Sequence, residues 1–125
     1  MDGREKAKLV AIVDDDSSVR TALIGLMKSA GIFARAFASA EEFLQSGVAD
    51  ETGCLVLDIR MPGMSGLELQ ARLNAGGASI PIVFITAHGD ASARARALSA
   101  GAIRFLEKPF DDEELLACIR PAVGA

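Results

Sequence analysis

The sequence predicts an α/β domain built on a doubly wound parallel sheet. Short apolar runs recur at residues 9–13, 33–37, 54–57, 82–85 and 103–106. The first, third and fourth are apolar throughout, as suits strands covered on both faces. Each run is followed by a helical pattern with its own start and stop signals, so the order reads strand then helix, five times over.

The elements follow in order. The run at 9–13 is the first strand. Val19, Leu23, Leu26, Met27 and Ala30 then mark one face of a helix that Gly31 closes. The second strand, 33–37, carries Arg35, as a strand nearer an edge would. Ser39 and Glu42 have capping-box spacing and open a helix through Phe43 and Leu44. The third strand covers 54–57. Leu67, Leu69 and Leu73 place the next helix, which stops before Gly76-Gly77. After the fourth strand, Asp90 caps an alanine-rich helix through Ser99, closed by Gly101. That helix has few large anchors and is expected to pack loosely. The fifth strand, 103–106, carries Arg104 and again reads as an edge. Asp111 and Glu114 form a second capping-box pattern, Leu115, Cys118 and Ile119 follow, and Pro121 is expected to end the helix.

Composition narrows the function. The chain has 125 residues, half of them hydrophobic, which suits one domain with a sizeable core. Seventeen acidic against 13 basic residues give a net charge of −4. That argues against gripping nucleic acid or an anionic membrane, which need a cationic surface. No stretch is long enough to span a bilayer, and the apolar run at 9–13 is too short for a signal-peptide core, so a cytoplasmic protein is expected. Cys54 and Cys118 form no CxxC and, with the single His88, cannot build a four-ligand zinc site. They fit a reducing compartment as small hydrophobes.

In an open parallel sheet, ligands bind beyond the carboxyl ends of the strands. Asp14, Asp15 and Asp16 follow the first run, Asp58 the third, Thr86, Ala87 and His88 the fourth, and Glu107, Lys108 and Pro109 the fifth. If the first and third strands are neighbours, Asp14, Asp15 and Asp58 converge, and their mutual repulsion calls for a hard divalent cation with oxygen ligands, naturally magnesium. Taken alone, the three aspartates would equally well cap the first helix, and Asp16 reads as a cap or first-turn residue. Asp58 ends an apolar strand, a position that suits a nucleophile able to form an aspartyl-phosphate, or simply a loop or helix start. Lys108 suits a carboxylate or phosphoryl oxygen, or is a solvated surface lysine. Thr86 suits a phosphoryl oxygen or a turn, and His88 an outer supporting role or an ordinary loop. The argument rests on their joint placement along one rim.

Four motifs make the sequence resemble a response-regulator receiver domain of bacterial two-component signalling, of the FixJ-like subgroup. They are Ile12-Val13-Asp14-Asp15, Leu57-Asp58-Ile59-Arg60-Met61-Pro62-Gly63-Met64-Ser65-Gly66, Ile85-Thr86-Ala87 and Lys108-Pro109-Phe110. The resemblance covers residues 9–119 within a single domain at 1–125, with no output domain expected in this chain. It implies a flavodoxin-like (βα)5 fold with strand order 2-1-3-4-5. It implies Asp58 as phosphoacceptor. Magnesium would be held by Asp14, Asp15, Asp58 and the Arg60 backbone carbonyl. Thr86 and Lys108 would bind the phosphoryl oxygens, and Thr86 and Phe105 would form the switch. Without the resemblance, Phe105 reads as plain core. Arg60, Ala87, His88 and Pro109 would support the site from outside, and the Lys108-Pro109 bond would be cis. The implied role is a phosphoacceptor signalling domain rather than an enzyme, served by a sensor histidine kinase and acting on a downstream effector or a second receiver copy. A rival reading is a phosphohydrolase similar to haloacid dehalogenases, with Asp14 as nucleophile; it leaves Asp58 unexplained. A flavin carrier of the same fold class is disfavoured by the three aspartates and by the lack of Trp and Tyr.

Overall fold

A computed structural model describes residues 8–87 and 89–124. Five strands and five helices alternate: β1 (Leu9–Val13), α1 (Ser17–Ser29), β2 (Ala34–Phe37), α2 (Ala40–Ser46), β3 (Thr52–Asp58), α3 (Gly66–Ala75), β4 (Ile82–Thr86), α4 (Ala91–Ser99), β5 (Arg104–Glu107) and α5 (Asp112–Val123). A short 3-10 turn, Ala49–Glu51, precedes β3. The sheet is parallel, in the order β2-β1-β3-β4-β5. This is the expected doubly wound arrangement, with β2 and β5 at the edges.

The continuously apolar strands split by parity, because successive side chains point to opposite faces. Ala11, Val13, Leu55, Leu57, Ile82 and Phe84 pack against Phe43 of α2, Leu69 and Leu73 of α3, and Ala93 and Ala97 of α4. Val10, Ile12, Cys54, Val56, Val83 and Ile85 pack against Leu23 and Met27 of α1 and Leu115, Leu116 and Ile119 of α5. Both cysteines are free, and burial pushes the Cys54 thiol up to about 12. It therefore behaves as an inert small hydrophobe.

Several local expectations need correction. Phe33 lies before β2 and is 76% exposed, and Ile103 lies before β5 and is also exposed. β3 is longer than its apolar run, because Thr52, Gly53 and Asp58 join the sheet. At α2, Ser39 accepts from the Glu42 N–H, but Glu42 reaches back past Ser39 to the Ala38 N–H, so the box does not close. At α5, Asp111 caps through Glu113 instead of Glu114, whose carboxylate pairs with Arg104. Pro121 does not stop α5; the helix runs on to Val123, whose burial holds the last turn, and Gly124 closes it. A complete capping box that was not anticipated starts α3: Ser65 accepts from Glu68 N–H and Glu68 accepts from Ser65 N–H. Asp16 and Asp90 cap α1 and α4 as expected.

Candidate functional site

The carboxyl ends of β1, β3, β4 and β5 meet at one rim. Because β1 pairs directly with β3, with Val13 opposite Leu57, the residues that follow these strands stand side by side. One carboxylate oxygen from each of Asp14, Asp15 and Asp58 lies within 4.8 Å of the others. Asp14 is fully buried and Asp58 nearly so, whereas Asp15 is exposed.

Asp14 is held on every side. Its Oδ1 accepts the Asp16 N–H at 2.9 Å, and its Oδ2 takes the Lys108 ammonium at 2.9 Å. The Arg20 guanidinium, one turn into α1, donates to the Asp14 backbone carbonyl at 2.8 Å. Arg20 was not singled out from the sequence. An arginine six residues past Asp14, on the helix that leaves the strand, was the available signal. Lys108 thus crosses from the end of β5 to β1. The Lys108-Pro109 peptide bond is cis, as the resemblance implies.

Asp58 has a different environment. Burial, then the Asp14 charge, push its carboxyl up to about 6, and Lys108 only partly offsets them. Its backbone is fixed by a close approach: a Cβ on Gly66 would lie 2.2 Å from the Asp58 carbonyl oxygen, so α3 can begin here only with glycine. The Gly66 N–H bonds the Ile59 carbonyl at 2.9 Å and closes the loop.

Thr86 is buried at the end of β4, and its carbonyl accepts the Lys108 N–H at 2.7 Å. Ala87 follows it and is exposed. Phe105 is buried, its ring centroid 6.3 Å from that of Phe84. The Arg60 guanidinium is exposed and lies 3.9 Å from Asp90, at the α4 cap. His88 lies outside the described residues.

The donor set fits a hard cation. It consists of oxygens only, three of them anionic, gathered closely enough for one ion. Burial first, and then the unneutralised charge of Asp14, raise the Asp58 carboxyl, and a cation between the carboxylates would oppose both.

The family model described as response regulator receiver domain matches residues 10–120. Nodulation protein W of Bradyrhizobium diazoefficiens is 50% identical over 111 residues, covering 89% of this chain and 49% of that protein. The transcriptional regulatory protein FixJ of Azorhizobium caulinodans is 45% identical over 115 residues, 92% of this chain and 54% of that protein. The crystal structure of FixJ-N superimposes with a TM-score of 0.84 at 38% identity, covering 96% of both chains. The response regulator StyR superimposes with a TM-score of 0.87 at 50% identity, over 95% of this chain and 60% of that one. This chain spans about half the length of the curated relatives it matches.

Proposed function

From the premise that this chain belongs to the response-regulator receiver family, we propose that it is switched by phosphorylation of Asp58 by a sensor histidine kinase. The observation that carries this reading is the gathering of Asp14, Asp15 and Asp58 within 4.8 Å, with Lys108 locked onto Asp14 at their edge. Asp14, Asp15, Asp58 and the Arg60 carbonyl would hold magnesium, which neutralises charge on the transferring phosphoryl group.

Asp58 supplies the nucleophile. A carboxylate oxygen attacks the phosphorus of a phosphohistidine in line; the new P–O bond forms as the P–N bond breaks, and the imidazole leaves to take up a proton. The rigid strand end and the Gly66 contact fix its backbone for that approach. Lys108, already placed by Asp14, turns its charge to a phosphoryl oxygen, and the Thr86 hydroxyl binds another. Those new bonds bias a two-state rim of Thr86 and Phe105. Inverting a population from 1:99 to 99:1 takes about 5.5 kcal/mol, within reach of a few charge-assisted bonds at roughly 1.5–3 kcal/mol each. The altered face then engages a downstream effector or a second receiver. Arg60 and His88 would tune how long the phosphoryl group persists, and Ala87 and Pro109 would support the site from outside. The chain acts as a signalling domain rather than an enzyme on outside substrates. Among the described residues no helix is long and apolar enough to cross a membrane, and we place the protein in the cytoplasm with its kinase.

The rival in which Asp14 is the nucleophile finds less support, since both of its oxygens are engaged and its side chain is buried. Incubation with acetyl phosphate and magnesium should add one phosphoryl mass to the wild type and none to Asp58→Asn. Label recovered on Asp14, or equal labelling of both proteins, would overturn the assignment.

A further inference from the structure

The loop from Ile59 to Ser65 carries the Arg60 carbonyl and separates Asp58 from α3. Its ends are well tied: Ile59 and Met61 are buried, and the α3 capping box and the Gly66–Ile59 bond close the far side. Its middle has little of its own to hold with, because Pro62 lacks an N–H and Gly63 lacks a side chain. Gly63 sits at φ +77°, in the left-handed region.

A tie to that middle comes from another element. Glu41 lies in the first turn of α2, where an acidic residue would ordinarily be read as a helix-dipole partner. The capping there is already done by Ser39 and Glu42. The Glu41 side chain instead leaves its helix, and its Oε2 accepts the Met64 N–H at 2.9 Å. A Cβ on Gly63 would lie 2.7 Å from that same oxygen, so a side chain there would push the carboxylate off its present seat. Two features of the loop, a missing side chain and a donated N–H, therefore converge on one anionic oxygen.

We propose that Glu41 is a positioning residue for the cation pocket, anchoring the β3–α3 loop whose Arg60 carbonyl the metal-binding reading assigns as a ligand. This rests on the metal-binding reading above. The bond is charge-assisted, and the Met64 N–H is the principal force holding the Glu41 carboxyl below its ordinary range.

Isothermal titration with magnesium chloride, together with amide hydrogen exchange of the metal-free chain, tests it on wild type, Glu41→Ala and Glu41→Gln. Glu41→Ala should bind magnesium about tenfold more weakly, the lower end of what losing an outer support costs. Its Met64 amide should exchange faster before any metal is added. Glu41→Gln, whose amide oxygen still accepts, should fall between the two. A Glu41→Ala protein that binds magnesium like wild type would overturn the inference and leave the metal reading standing. Wild type that binds no magnesium would remove both. Should Glu41→Ala fail to fold, Glu41→Gln decides: unchanged magnesium affinity with unchanged Met64 exchange rejects the anchor.

Discussion

Asp14 and Asp58 are both buried carboxylates in one site, yet they differ in their partners. Asp14 has a backbone N–H and a lysine; Asp58 has mainly burial and neighbouring negative charge. The consequence is a stability cost with a defined pH window. The Asp58 carboxyl is raised from 3.8 to about 6, so between those values the native chain holds a proton that the unfolded chain has released. Stability therefore falls as pH rises through that window, and the full penalty applies above it. Asp58→Asn should stabilise the metal-free protein at pH 7.5 by on the order of 1–2 kcal/mol, with the gain fading toward pH 4. Urea unfolding at several pH values in chelator checks this; a gain that is constant with pH would mean that it does not come from the charge.

At the scale of elements, α4 is the exception. It buries only Ala93 and Ala97, whereas α1 buries Leu23 and Met27 and α5 buries four apolar side chains. Besides the Arg60–Asp90 pair at its N-terminal cap, the polar ties described for it lie at its C-terminal end. The Gln70 amide, buried on α3, donates to the Ala97 carbonyl at 3.0 Å, and Asn74, one turn on, donates to the Ala100 carbonyl at 3.0 Å. Amides of α4 should therefore exchange faster than those of α1. Gln70→Ala should lower stability by about 1–2 kcal/mol and speed exchange chiefly in α4. Exchange in wild-type α4 as slow as in α1 would refute the loose packing. The thin apolar face was legible in the sequence from Ala91, Ala93, Ala95 and Ala97; the two amide ties were not, because they join residues 27 and 26 positions apart. Helix ends show the same boundary. Asp16 and Asp90 were readable as caps from local spacing, but Glu114 was diverted by Arg104, a tertiary partner that a four-residue pattern does not contain.

For the whole molecule, topology turns separated motifs into one pocket. The rim could be anticipated because each polar cluster directly follows an apolar run, and strand order then sets Asp14 and Asp15 beside Asp58. Lys108 was legible as a partner for a carboxylate on the rim, though not that the carboxylate is Asp14, 94 positions away; Arg20 onto the Asp14 carbonyl and Glu41 onto the loop after β3 were not legible. Such contacts are fixed by the assembled fold. On the metal-binding reading, the assembled pocket would also make the domain a metal-linked folding unit. The unfolded chain separates Asp58 from Asp14 and Asp15, so a cation that needs all three binds the native state alone, and stability would rise with its concentration. At magnesium a hundredfold above its dissociation constant the gain is about 2.7 kcal/mol, a rise in Tm of roughly 8–12 °C for a domain of this size. Melting curves in magnesium and in chelator, at matched ionic strength, measure this. The double variant Asp14→Asn with Asp58→Asn should melt alike in both, since one exposed carboxylate is too weak a site. Equal melting of the wild type with and without magnesium would mean that the native pocket does not bind the ion. A rise retained in the double variant would place the binding elsewhere on an acidic surface.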